Sequence, residues 1–282
     1  MNKLPTAKRA AILRSLIEGS SIASTCRIAG AAKNTVLKLL AEVGEVCTEY
    51  QDAHLVNLSC RELQLDEVWS FIGAKQRNTT PEMRAQGQGD AWVWTAIDAQ
   101  TKLIPCWHLG NRDAVAANTF IEDLASRLTS RVQISTDGLR LYAEAIDGVF
   151  GVDVDFGMLL KVYGPSPEGT HRYSPPEVVS AEKVVMVGNP DPARISTSFA
   201  EAHNLTMRMR NRRLTRLTNG YSKKWVNHFA ALSLYFFAYN FIHRHSTLTA
   251  ERGGIHSTPA MSAGITDHVW SVEELVALLD SN

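Results

Sequence analysis

Apolar positions recur at helical spacing over residues 6–18, where Ala7, Ala10, Ile12, Leu13 and Leu16 share a stripe. Gly19-Ser20-Ser21 ends that helix and offers an N-cap for the next. Residues 21–30 read as two turns of helix closed by a glycine, and Asn34 to Val43 as a third helix with a polar start. This is the layout of a helix-turn-helix over residues 1–50, presenting Lys33, Asn34, Thr35 and Lys38 to a major groove; an ordinary three-helix cap is the alternative. Residues 46–60 form a helical or extended connector, of which 51–60 is the linker.

The period then changes to two. Strands are expected over 63–72, 91–98 and 102–109, with Asp98-Ala-Gln-Thr-Lys102 as a hairpin loop. Asp113 caps a helix whose Ala117, Phe120, Ile121, Leu124 and Leu128 line one face. A fourth strand over 131–136 ends in Asp137-Gly138, and a helix follows over 142–150. The proline-rich strings Gly164-Pro-Ser-Pro-Glu-Gly169 and Tyr173-Ser-Pro-Pro-Glu177 mark an exposed insertion near 164–180, followed by a strand over 183–187. A long basic helix is expected from Ser198 to about Leu217, and an aromatic-rich one over 224–243 that serves as core. The tail, 246–282, adds a short helix beginning near Ser271. A three-strand meander, a crossover helix and a fourth strand give an α/β class with a mixed sheet, the opening order of a ribonuclease-H-like domain over 61–245, beside the small all-α N-terminal domain. Other α+β folds share that order.

Charge changes the picture. Lys plus Arg equals Asp plus Glu at 29 each, yet residues 1–50 carry 7 basic against 4 acidic groups and 201–224 carry 7 against 1. Two basic blocks bracket an acidic middle, and such blocks suit a polyanion such as DNA. Along the basic helix Asn204, Arg208 and Arg212 follow Glu201 on one face, a track for a phosphate backbone, and Arg210, Arg213, Arg216, Lys223 and Lys224 widen it. Cys26, Cys47, Cys60 and Cys106 show no C-x-x-C pair, so free thiols in a reducing cytoplasm are expected rather than zinc or disulfides. The most apolar stretch, Phe229 to Ile242, is broken by Ser233 and Asn240, and no membrane span is expected.

Three acids sit where metal-dependent phosphoryl transfer would use them: Asp66 in the first strand, Asp137 at the end of the fourth, and Glu201 in the first turn of the basic helix. Neighbouring first and fourth strands would converge both aspartates, and a helix packed across them would bring the glutamate. Such an all-oxygen set suits two Mg²⁺ ions about 3.5–4 Å apart, with Mn²⁺ as a substitute. Glu67 alternates to the opposite strand face, Asp98 lies on a hairpin loop and Glu144 on a helix, so these three are read as structural. His243-Arg244-His245 raises a tyrosine-recombinase reading, but the last tyrosine, Tyr239, lies upstream of it.

The strings Leu65-Asp-Glu-Val-Trp-Ser70, Trp94-Thr-Ala-Ile-Asp98, Ser135-Thr-Asp-Gly138, Asn204-Leu-Thr-Met-Arg-Met209, Arg216-Leu-Thr-Asn219 and Thr258-Pro-Ala-Met-Ser-Ala-Gly-Ile265 resemble, in order, the DDE transposases of the insertion sequence one family. The resemblance covers roughly residues 60–282. It implies a ribonuclease-H-like core with Asp66, Asp137 and Glu201 as the metal-binding catalytic triad. It also implies cleavage and strand transfer by a 3′-OH on DNA, in a homo-oligomer. Two features depart from the family: Ala202-His203 follow the glutamate where an Arg is common, and the N-terminal cysteine finger of many members is absent. An inactive DNA-binding regulator and another ribonuclease-H-like nuclease are the competing readings.

Overall fold

A computed structural model describes residues 4–164, 178–216 and 218–281. Three helices open the chain, α1 (Thr6–Ile17), α2 (Ile22–Ala29) and α3 (Lys33–His54). Ser21 caps α2 through a bond from the Ser24 amide, and Gly30 closes it in the left-handed region, as the glycine turn led one to expect. The Gly19 turn, at φ +79°, lies so close to the end of a later helix that a Cβ there would stand 3.0 Å from the Arg210 carbonyl oxygen.

Six strands form one mixed sheet: β1 (Glu62–Ile72), β2 (Gly89–Asp98), β3 (Trp107–Gly110), β4 (Val132–Thr136), β5 (Val154–Tyr163) and β6 (Val178–Val187). Their spatial order is β3-β2-β1-β4-β5-β6. β1 to β3 form an antiparallel meander, β1, β4 and β5 are parallel, and β6 returns antiparallel on β5. With α5 (Ala114–Arg127) crossing from β3 to β4 and α6 (Arg140–Phe150) from β4 to β5, this is the ribonuclease-H-like arrangement. A short α4 (Pro81–Ala85) precedes β2. Trp94, Phe120, Ile121 and Tyr142 fill the core on the α5–α6 face of the sheet. On the other face Val68, Val93, Met207, Leu232 and Phe236 pack beneath α7 (Ser198–Arg210) and α8 (Trp225–Phe237). α8 runs on through a π-helical turn, Ala238–Ile242, into α9 (Ser246–Glu251), α10 (Pro259–Ser262) and α11 (Val272–Ser281).

The helix α8 is apolar all round because it is buried on two sides. Leu232 and Phe236 meet the sheet, while Ala230, Leu234 and Phe237 join the cluster of Val36, Leu40, Val43 and Cys47 from the N-terminal helices. The two polar residues that interrupt it serve this packing. The Ser233 hydroxyl donates to the Gly44 carbonyl at 2.7 Å, and the Asn240 amide accepts from Ile104 N and donates to Ile104 O, both at 3.0 Å. Asn240 thus supplies the ladder bonds that the stretch before β3 lacks.

Several expectations are corrected. α3 does not stop near Val43 but takes in the connector to His54, including the start of the stretch read as linker, because Val46, Cys47 and Gln51 keep its buried face going. The N-terminal helices therefore share the main core rather than standing apart. The helix expected to reach about Leu217 ends at Arg210: Asn211 turns extended, its amide donates to the Ala231 carbonyl at 3.3 Å and its Oδ1 accepts from Arg213 N. β3 is shorter than expected, β6 longer, and β5 was not foreseen. The tail carries three helices, of which α11 docks on α1 through Asp280 and Arg9. The proline-rich strings of the expected insertion lie, from residue 165 to 177, outside the described residues. All four cysteines are free thiols, and among the described residues no helix is long and apolar enough to cross a membrane.

A Cβ on Gly44 would lie 2.5 Å from both Cα and Cβ of Ala230, so α3 and α8 touch through their backbones there. Gly44→Val is expected to lower unfolding stability by about 1–3 kcal/mol, read from the urea midpoint. An unchanged midpoint would mean that the helices do not need this close approach.

Candidate active site

β4 pairs with β1 only at Glu62, Leu63 and Gln64, so the two strands part immediately before Asp66 and Asp137. The backbone amides freed at this fork face space instead of a ladder, and acidic side chains fill it. One carboxylate oxygen each of Asp66, Glu67 and Asp137 lies within 4.8 Å of the others. Asp137 is held by its own turn, its Oδ1 accepting from Leu139 N at 3.0 Å. Asp66 accepts from Glu67 N at 2.8 Å and from the Asn204 amide at 2.7 Å.

Gln64, two residues before Asp66 on the same strand face, accepts from Phe199 N at 2.8 Å and from Ala200 N at 3.4 Å. These are donors that the first turn of α7 cannot satisfy internally. Gln64 and Asp66 thereby clamp α7 across the sheet at two successive turns. Sequence reasoning missed Gln64, though Glu62, Gln64 and Asp66 form a polar stripe on a strand face that should be apolar.

Glu67 is where expectation and geometry part. Alternation is obeyed: it faces α6 rather than α7, where Tyr142 Oη donates to it at 3.2 Å and Arg112 at 2.9 Å through Nε and 2.6 Å through a terminal nitrogen. Its carboxylate nevertheless reaches the fork, because β4 is no longer there to separate the two faces. Glu201 stands outside that group, in the first turn of α7, and is gripped by Lys161 and by Thr197 Oγ1, the latter at 2.6 Å. Asp98 serves its turn, accepting from Thr101 N at 2.9 Å, and Glu144 is exposed on α6.

Electrostatics follow from the crowding. Burial, then the nearby charges of Glu67, Asp137 and Glu201, push the Asp66 carboxyl up to about 7. Burial and Asp137 also raise Glu67, against the pull of Arg112 and Tyr142. Burial pushes Glu201 up, but Lys161 and Thr197 outweigh it and hold the group below the usual carboxylate range. Burial drives His203 down to about 3, so this residue two positions after Glu201 is a neutral partner of Tyr235 Oη at 3.2 Å.

The expected DNA contacts divide. Lys33 and Asn34 are exposed on the first turn of α3, Thr35 is half-buried, and Lys38 is exposed with Glu42 at 3.6 Å. Asn204 is buried and its amide is engaged by Asp66, so it holds the carboxylate rather than joining a phosphate track. Arg208 stays on that face, within the field of Asp66 and Arg216, whereas Arg210 lies towards Tyr235, Tyr239 and His243. Arg212, Arg213 and Arg216 leave the helix for the loop that follows it, so the single straight track is replaced by a helix face and a basic loop. Arg213 is partly buried near His228, Arg212 packs by Gly220, and Lys223 and Lys224 are exposed just before α8.

Asp66 offers a direct test of this electrostatics. Its folded-state value lies above the unfolded one of about 3.9, so between about pH 4 and 7 the folded chain keeps a proton that the unfolded chain has lost, and stability falls as pH rises through that window. Asp66→Asn keeps an acceptor for Asn204 and removes the charge. With divalent ions chelated, this variant is expected to match the parent near pH 4 and to exceed it by about 1–3 kcal/mol at pH 8 in denaturant titrations. Equal stability at both pH values would show that Asp66 ionises without strain.

The segment from residue 83 to 154, which runs from α4 to the start of β5 and holds Asp137 but neither Asp66 nor Glu201, matches the family model described as a DDE domain. No curated protein sequence matches the chain. Among solved structures it is similar to a piggyBac transposase in a synaptic complex with hairpin DNA, at 8% identity and a TM-score of 0.43, over 95% of this chain and 71% of that one. The match over 83–154 takes in about a quarter of the chain and likens that segment, from α4 through the turn that carries Asp137 to the start of β5, to a DDE domain.

Proposed function

We propose that the protein is the transposase of an insertion sequence, which binds the element's DNA ends, cleaves them and joins the freed 3′-OH to target DNA. The observation that supports this reading is the convergence of Asp66, on β1, and Asp137, in the turn directly after β4, at a fork that β1 ties to the start of α7 through Gln64. Asp66, Asp137 and Glu201 would hold divalent cations, Mg²⁺ in the first instance. Bound there, such ions supply Lewis-acid stabilisation of the attacking and leaving oxygens of a phosphodiester. Glu67 is given the supporting role, because Arg112 already neutralises it in a two-point contact, while the exposed Glu201 has only Lys161 and Thr197 to release.

The chain's own residues account for the rest. Asn204 and the Glu67 amide orient the Asp66 carboxylate, and Gln64 fixes the height of α7 above it. Arg208 and the loop with Arg212, Arg213 and Arg216 supply cations for the strand's phosphates. Sequence reading falls to the exposed start of α3, and a homo-oligomer holds two ends together.

Asp137→Asn is expected to cut Mg²⁺-dependent nicking of an element-end duplex by well over 100-fold while leaving binding of that duplex nearly unchanged. Glu201→Gln should do the same, whereas Glu67→Gln should chiefly lower stability by stranding Arg112 and Tyr142. Nicking by Asp137→Asn above about a tenth of the parent rate, a barrier change of about 1.4 kcal/mol, would remove Asp137 from the site and favour a regulator.

Deleting residues 1–50 would strip α8 of its cover, so the N-terminal reading is better tested by point changes. The triple substitution Lys33→Ala, Asn34→Ala, Lys38→Ala, all on the exposed start of α3, should leave the melting temperature within about 2 °C and reduce the preference for the element end over random DNA by about tenfold or more. Undiminished preference would place sequence reading elsewhere.

A further inference from the structure

The strand that carries the carboxylates continues past them with an open side. Beyond Gln64, β1 has no strand partner on the β4 side among the described residues until a single bridge from Ile72 to Ser222. On the same face as Glu67 it then presents Trp69 and Phe71, in steps of about 6.7 Å along the strand. Both are half-buried.

A third ring joins them from the loop before α8. Gly73 N donates to the Ser222 carbonyl at 2.8 Å, and His228, driven down to about 3 by burial and by Arg213, is neutral and fully buried between Ser222 Oγ at 2.8 Å and Ser70 Oγ at 3.1 Å. This pinning sets Tyr221 beside Phe71, with ring centroids 4.8 Å apart, and Phe71 beside Trp69 at 5.6 Å, the rings of each pair inclined by less than 40°. Two exposed lysines lie on the rings, Lys223 at 3.3 Å from the centre of Tyr221 and Lys75 at 5.3 Å from that of Trp69. Neither forms an ion pair among the described residues. Across the sheet Trp69 pairs with Trp92, which is covered at 4.8 Å by Arg112, the partner of Glu67. The row of rings is thus joined to the acidic fork at one end and edged with cations.

Such a row has little structural need of tandem lysine-covered faces, and an aromatic row edged by lysines beside an unpaired strand edge is what an unpaired nucleic-acid strand requires. We propose that Trp69, Phe71 and Tyr221 form a stacking platform for unpaired bases of the DNA strand next to the scissile phosphodiester, with Lys75 and Lys223 moving from the ring faces to that strand's phosphates. The platform deepens the transposase reading, on which the identity of the strand rests. Duplex DNA presents no free base face and gains nothing from it. A flanking region that is frayed or unpaired gains stacking on the part of each half-buried ring that solvent still reaches, which aligns the backbone with the fork.

The test uses the full chain, without divalent metal, and a single-stranded oligodeoxynucleotide carrying one 2-aminopurine, compared with the same oligonucleotide annealed to its complement. Stacking should quench the single-strand probe. Trp69→Ala should weaken single-strand binding by about 5- to 150-fold, the range of about 1–3 kcal/mol per stacked base, and abolish the quench, with the salt slope and duplex affinity little changed. Trp69→Tyr should restore both, while Lys75→Ala and Lys223→Ala should each flatten the slope by about 0.7 and keep the quench. If Trp69→Ala does not fold, Tyr221→Ala on the loop is read in the same way. Parent-like quench and affinity in a folded Trp69→Ala and Tyr221→Ala, or an equal loss on single strand and duplex, would overturn the platform. Metal-dependent nicking is scored separately on the same proteins. A platform that quenches in a protein unable to nick sinks the transposase reading and leaves the binding site standing, and nicking without quench does the reverse.

Discussion

Everything at the site depends on negative charges being held closer together than water would allow. Three carboxylates with oxygens within 4.8 Å, in a part-buried fork, repel one another, and the fold must supply the restraint. It does so from three directions: the Asx turn after β4 fixes Asp137, Asn204 and a backbone amide fix Asp66, and Arg112 with Tyr142 fixes Glu67. The raised proton affinity of Asp66 comes first from its burial and then from that repulsion. On the proposed reading, a divalent ion held there would relieve the repulsion that the fold maintains.

That restraint is passed outward through α7 and α8. Gln64 anchors the start of α7 to β1, and Asn211 ends the helix by bonding to α8. Behind α8 lie α1 to α3, in backbone contact at Gly44 and Ala230 and bridged by Ser233 to the Gly44 carbonyl. The chain is layered: sheet, α7 with α8, then the N-terminal helices with α11. An apolar helix in the middle layer is the expected outcome of such burial, and it explains why the stretch from Phe229 to Ile242 is so hydrophobic.

Much of this was legible in the sequence. The two-residue period of β1 and β2, the Asp113 cap of α5 and the Ser21 and Gly30 signals around α2 are local, and local chemistry decides them. What escaped was decided by tertiary contact. The arginines run unbroken past residue 210, and nothing in their spacing reveals that Asn211 trades helix for a bond to Ala231. Alternation placed Glu67 on the correct face but could not show that its neighbour strand ends early enough for the side chain to reach around. β5 alternates poorly because its first half is buried on both faces, and β6 is exposed along almost its whole length, so neither shows a clean amphipathic signal. The neighbourhood of Asp66 and Asp137 follows from local signals, the two-residue period of β1 and the Asp137-Gly138 turn that ends β4.

The close approach of the Gly19 turn to the Arg210 carbonyl sets a distance. It presses the three N-terminal helices against the last residue of α7, the helix whose first turn overlooks the acidic fork. Among the described residues, α3 runs on from its exposed start to His54 as one helix packed against α8, whose other side meets the sheet that carries the acidic fork. On the proposed reading, the number of base pairs from the recognised sequence to the cut is therefore measured by rigid protein, as by a caliper. An element end with bases inserted or removed in that interval would be gripped as firmly as before and presented to the carboxylates out of phase.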